Sequence, residues 1–152
     1  MNQDQLRALL MEVQQGDVAV PAALHRLRTL PYENLGFASL DHHRALRQGF
    51  PEVIFCEGKT VSQVVAIAKT LLQKNNSLLA TRVEPAVARA LLRVSKRATY
   101  HEAARVVAIV PPKLVRRGSV LIVTAGTADI PVAEEARVTA GIMGSKTDTL
   151  YA

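Results

Sequence analysis

Five consecutive residues, Ala125, Gly126, Thr127, Ala128 and Asp129, offer the clearest chemistry in this 152-residue chain. They follow an apolar run, Ser119-Val120-Leu121-Ile122-Val123-Thr124, and precede a helical pattern opened by Pro131. A helix start presents unpaired N–H groups and a partial positive charge, which suits a phosphate or a carboxylate. In open α/β sheets, ligands collect at such carboxyl ends of strands. Gly126 would let the backbone approach closely, and Thr127 would add a hydroxyl donor. Asp129 has two readings. As an N-cap it would accept from the first N–H groups of the helix. As a site residue it would face the ligand and handle a hydroxyl, a proton or a ribose. The pattern alone leaves both open, since one glycine is weak evidence.

Other constellations carry less. Asp41-His42-His43 spells a tripeptide of metal-dependent phosphoesterases, but the separated Asp/His partner motifs are missing and the remaining histidines are His25 and His101. No metal site is assigned. Gly58-Lys59-Thr60 ends like a phosphate-binding loop without its earlier glycine, so that reading fails on spacing. Arg44, Arg47 and Lys59 bracket a strand candidate at 51–55. They are candidate anion contacts, set against the plainer reading of solvated or ion-paired charges. Cys56, the single cysteine, reads as a small buried hydrophobe at a strand end rather than a nucleophile.

The elements that would position these residues follow from periodicity. Helices are expected at 3–15 and 18–30, the second capped by Asp17 and ended by Pro31. Strand candidates at 37–41 and 51–55 follow, then a helix from Thr60 or Ser62 through 72. A strand at 77–83, a helix at 84–92 and one or two strands within 99–110 complete an alternating series, which implies a sheet flanked by helices. Pro111-Pro112 is the best boundary. Beyond it, residues 119–124 read as a buried parallel strand, and a helix runs from Pro131 to about Gly144. The fold class is therefore α/β. A small α+β domain at 1–112 precedes a strand, loop and helix at 117–152.

Composition narrows the partners. Lys and Arg number 19 against 13 Asp and Glu, a formal charge of +6. The excess gathers in Arg82, Arg89, Arg93, Lys96, Arg97, Arg105, Lys113, Arg116 and Arg117, with Glu84 and Glu102 as the acids among them. Such a stretch serves solvated helix faces or an anionic partner. Aromatics are 4% and Trp is absent, which argues against base-stacking platforms and disfavours nucleic acid. No apolar run approaches the roughly 20 residues of a bilayer span. One cysteine cannot form an internal disulfide, and the opening residues show no signal-peptide pattern, so a reducing cytoplasm is expected.

Two longer stretches carry a resemblance. Thr124-Ala125-Gly126-Thr127-Ala128-Asp129-Ile130-Pro131-Val132-Ala133-Glu134-Glu135-Ala136 resembles the opening of the catalytic domain of the LarB family of nickel-pincer cofactor biosynthesis. That domain is similar to PurE, the aminoimidazole ribonucleotide (AIR) carboxylase/mutase, a flavodoxin-like doubly wound fold. Upstream, Asp41-His42-His43-Arg44 and the stretch Arg47-Gln48-Gly49-Phe50-Pro51-Glu52-Val53-Ile54-Phe55-Cys56-Glu57-Gly58-Lys59-Thr60 resemble that family's N-terminal domain. Together the two stretches bring essentially the whole chain under the likeness.

The resemblance implies a carboxylase/hydrolase acting on nicotinic acid adenine dinucleotide. Carbon dioxide or bicarbonate is co-substrate, AMP is released, and the product, pyridinium-biscarboxylic acid mononucleotide, leads to the cofactor of lactate racemase. No covalently bound cofactor is implied, and Mg2+ is left open. Asp129 would be the catalytic residue of the pocket formed by residues 125–129, with Ala128 standing where related loops place a serine. A cysteine adding to the pyridinium ring would make it electron-rich enough to attack carbon dioxide. In the family that cysteine lies beyond the position of Ala152, so the chain is expected to be a truncated product, inactive alone, of a protein that assembles as a homo-octamer. Gly144-Ser145-Lys146-Thr147-Asp148 imitates a PurE loop but follows a helix, so it is expected to be a plain connection with a strand starting at Thr149. The alternatives are a PurE-related protein of purine-type metabolism, a non-catalytic basic binding or assembly module, and a nucleic-acid binder.

Overall fold

The computed structural model describes residues 3–27, 32–41, 44, 52–74 and 77–152. Its contacts divide it into two compact units, Met1–Glu52 and Val53–Ala152.

In the first unit, α1 (Gln3–Gln15) is followed by α2 (Val20–Leu27). Gly16, at φ +83°, ends α1. Its N–H bonds to the Val13 carbonyl at 3.2 Å, and the Asp17 N–H bonds to the Glu12 carbonyl at 2.9 Å, which closes the last turn as a Schellman motif. Asp17 therefore finishes α1 instead of capping α2, which opens at Val20. Residues 28–30 of the expected second helix lie outside the described residues. A hairpin of β1 (Tyr32–Asn34) and β2 (Ser39–Asp41) pairs Tyr32 with Asp41 and Asn34 with Ser39. Asn34 Oδ1 accepts the Gly36 N–H at 2.7 Å, an Asx-type turn. β1 was not anticipated, because Tyr-Glu-Asn shows no apolar alternation.

The second unit is built on a mixed sheet of order β3-β4-β6-β5. Its strands are β3 (Val53–Phe55), β4 (Leu78–Thr81), β5 (Thr99–His101) and β6 (Val106–Ile109). β3 and β4 are parallel, while β6 runs antiparallel to both β4 and β5. Helix α3 (Val61–Lys74) makes the crossover from β3 to β4. Thr60 and Gln63 start it with a reciprocal capping box: the Thr60 N–H bonds to Gln63 Oε1 at 2.9 Å and the Gln63 N–H to Thr60 Oγ1 at 3.3 Å. Helix α4 (Pro85–Val94) begins with a proline in its first turn.

Every residue of β4 and β6 is buried, so this sheet is covered on both faces. Leu78, Ala80, Val107 and Ile109 alternate with Leu79, Val106 and Ala108 along the strands. The latter three join Ala104, Val138 and Ile142 in one cluster, with Val53 against it.

Val138 and Ile142 belong to α5 (Ile130–Ile142), which lies between β7 (Ser119–Thr124) and β8 (Lys146–Tyr151) in the chain. β7 and β8 pair in parallel over six residues, from Ser119 with Lys146 to Thr124 with Tyr151. Through α5 this second small sheet belongs to the same compact unit as residues 53–109. The compact division falls after Glu52.

β7 is not a buried strand: α5 covers one face of the β7–β8 pair, and on the other Leu121, Val123 and Leu150 stand 61, 60 and 57% exposed. β8 starts at Lys146, not Thr149. The backbone ladder to β7 accepts the polar Lys-Thr-Asp-Thr run that periodicity reads as a connection.

Candidate functional site

Gly126 stands second after β7, behind Ala125, at φ +139°, ψ +142°, backbone open in practice to glycine alone. A single 3-10 turn over Thr127–Asp129 then leads into α5. The Asp129 N–H reaches the Gly126 carbonyl at 3.3 Å. Asp129 occupies the N-cap position of α5, yet its side chain makes no capping hydrogen bond. It is exposed and has no ion-pair partner among the described residues. The Asp129 side chain therefore does not act as a cap. Ala125, Thr127 and Ala128 are exposed beside it and Gly126 is partly covered. The loop is an open shelf at the carboxyl ends of two parallel strands, not an enclosed pocket.

A polar chain links this shelf to the sheet beneath. The Tyr151 hydroxyl, at the end of β8, donates to Glu134 Oε1 at 2.5 Å. Arg137 clasps the same carboxylate through Nε, 3.0 and 3.1 Å from its two oxygens, and Nη2 at 2.8 Å. The Arg137 hydrogen bonds hold the Glu134 carboxyl below its ordinary range, against the opposing effect of burial. The bond to Glu134 pushes the Tyr151 phenol up. His101, at the end of β5, is held below its ordinary value first by burial and then by the nearby Arg137 charge. Sequence reading did not foresee this chain. The one available signal was the i, i+3 spacing of Glu134 and Arg137; Tyr151 and His101 arrive by long-range pairing.

The other candidates lie elsewhere. Cys56 is buried, and burial pushes its thiol up to about 11 in spite of Lys59, so it stays protonated near neutrality. Lys59 is turned back on the preceding strand: Nζ donates to the Phe55 carbonyl at 2.7 Å and sits 5.9 Å from the Phe55 ring centre. The Gly58-Lys59-Thr60 motif thus serves the strand end and the helix cap. Arg44 keeps its Nε buried without a partner among the described residues. Arg47, His42 and His43 lie outside the described residues. Among those described, no three His, Cys, Asp or Glu side chains gather as metal ligands.

Part of the basic stretch is committed to the fold. Arg82 pairs with Glu135 at 3.2 Å, Arg105 pairs with Glu84, and Arg97 Nη2 donates to the Val110 carbonyl at 2.8 Å. Arg82 and Arg105 take left-handed backbone, φ 54° and 51°. The Val83 N–H meets the Arg105 carbonyl at 2.8 Å, joining the end of β4 to the turn before β6. Among the described residues no helix is long and apolar enough to cross a membrane.

These features define a mixed α/β protein in which an α+β sheet is followed by a flavodoxin-like βα unit. Residues 32–111 match the family model described as the LarB/PurE-like N-terminal domain. The match covers more than half of the chain, which therefore belongs to the LarB/PurE-like family. An uncharacterized protein of Methanocaldococcus jannaschii is 30% identical over 158 residues, covering 96% of this chain. The chain spans about 60% of that relative's length.

Proposed function

We propose that this chain serves LarB-type chemistry, the carboxylation of the pyridinium ring of nicotinic acid adenine dinucleotide by carbon dioxide with release of AMP, on the route to the nickel-pincer nucleotide. Besides membership in the family, one observation supports the reading. A parallel strand ends in a glycine-only backbone turn that leaves a carboxylate, Asp129, with no ion-pair partner among the described residues, beside the start of a 13-residue helix.

On this reading the backbone of Ala125, Gly126, Thr127 and Ala128 cradles the substrate's phosphate groups. Asp129 holds a hydroxyl or moves a proton. Covalent activation of the ring calls for a thiolate nucleophile. Cys56 is unsuited, being buried and protonated, so the nucleophile would come from outside residues 1–152. Residues 1–112 would act as the N-terminal domain and 117–152 as the first wall of the catalytic domain, within a homo-oligomeric enzyme.

Equilibrium dialysis of the dinucleotide against the chain, Asp129→Asn and Gly126→Val tests the reading. Retention by the parent and loss in Gly126→Val is the expected result. Equal retention by all three would remove the loop from the account.

A further inference from the structure

At the opposite end of α5 from Asp129 lies a partly open hollow of about 290 Å³. It sits between the edge of the β5–β6 sheet, the last turns of α5, the linker that follows β6, and the start of β8. Leu114, Val138 and Ile142 supply apolar wall, while His101, Arg116, Arg137 and Thr147 bring polar groups to it. Its volume is at the lower end for small-molecule sites, which are typically about 300–1,000 Å³.

The charge balance of the lining is specific. Arg137 is already neutralised by the Glu134 carboxylate, which it reaches through Nε on Oε1 and Nη2 on Oε2. His101 is held uncharged near neutrality by burial and by the Arg137 charge. Arg116 is exposed and has no hydrogen-bond or ion-pair partner among the described residues. The hollow thus carries one uncompensated positive charge, a hydroxyl at Thr147 and an apolar wall. A dianionic phosphate would leave one charge unmatched, and a neutral ligand would leave Arg116 unanswered.

We propose that this hollow is a binding site for a small monocarboxylate with an apolar body. The carboxylate would sit between Arg116 and the Thr147 hydroxyl, and the body would lie against Leu114, Val138 and Ile142. This site is separate from the Asp129 loop and does not depend on what that loop binds.

Benzoate, with benzamide as its neutral counterpart and inorganic phosphate as the dianion, tests the proposal by amide NMR titration of the labelled 152-residue chain. Saturable shifts centred on Gly141, Ile142 and Thr147 are expected with benzoate and not with the other two. Losing one charged hydrogen-bonding partner weakens binding by about tenfold or more, so Arg116→Ala should lose at least that. Arg116→Lys should recover part of it. Lys113→Ala, on the same linker but outside the lining, should leave binding unchanged. Circular dichroism confirms that each variant is folded. Equal binding of benzamide, preferential binding of phosphate, absence of saturable shifts at these amides, or an unaffected Arg116→Ala would each overturn the proposal.

Discussion

Glu134 and Tyr151 meet across the βα unit: the phenol at the end of β8 donates to the carboxylate one turn into α5, at 2.5 Å. Arg137 holds the same carboxylate from the next turn. The last residues of the paired strands are thereby tied to the helix that the Asp129 loop begins. The shelf is positioned by this contact as well as by the backbone ladder.

The same network sets a pH dependence. His101 titrates below its ordinary value of 6.5 in the fold, so the neutral imidazole is the stabilising form. Its contribution is full above about 6.5 and is lost as the pH falls below that. Glu134 titrates below 4.5, so its contribution is present above 4.5 and is lost as the pH falls through the lower folded value. The thermal midpoint should fall in two steps on acidification. His101→Gln should remove the upper step and Glu134→Gln the lower. A midpoint that stays flat between pH 7 and 4 would contradict this assignment.

Glycine is required at two positions for different reasons. At Gly126 the backbone itself is the obstacle, and a residue forced into such a region costs about 1–3 kcal/mol. At Gly144, φ is +95° and an added Cβ would lie 2.6 Å from the Val115 carbonyl oxygen. Gly144→Ala should therefore lower stability at least as much as Gly126→Ala. Urea unfolding of the two variants checks the order. Only Gly126→Ala should also weaken dinucleotide binding.

Core and bare face should respond oppositely. Leu71 is fully buried on α3, and Leu71→Ala should cost about 2–5 kcal/mol. Leu121 lies on the uncovered face of β7, so Leu121→Lys should change stability by no more than about 0.5 kcal/mol. Exposed apolar sheet faces and strand edges promote association. Light scattering should accordingly show less self-association for Leu121→Lys than for the parent.

How far the sequence could be read depended on how local each determinant was. The run 119–124 and the helix after Pro131 are written in local pattern and formed where expected, as did α1. The burial of β7 was not readable, because it depends on which layers cover the sheet and not on the strand's own residues. β8 was misplaced by three residues because its polar half is held by the ladder to β7. Asp129 was readable as cap or site, and only the geometry showed that it forms no cap bond. The Tyr151–Glu134–Arg137 chain joins residues from a strand and a helix, and no motif announces such a meeting.

Cys56 provides a chemical prediction. A buried thiol with its pKa pushed up to about 11 should react with a thiol reagent far more slowly in the folded chain than in denaturant, since only the thiolate attacks. The 152-residue chain supplied with dinucleotide and bicarbonate should release no AMP above the blank. Cys56→Ala should leave that result unchanged.

The central claim is that residues 125–129 meet the nucleotide. Amide NMR of the labelled chain titrated with nicotinic acid adenine dinucleotide tests it most directly. The account predicts saturable shifts concentrated at Gly126, Thr127, Ala128 and Asp129, and their loss in Gly126→Val. Shifts that are absent there, or that gather on another surface while these amides stay still, would contradict it.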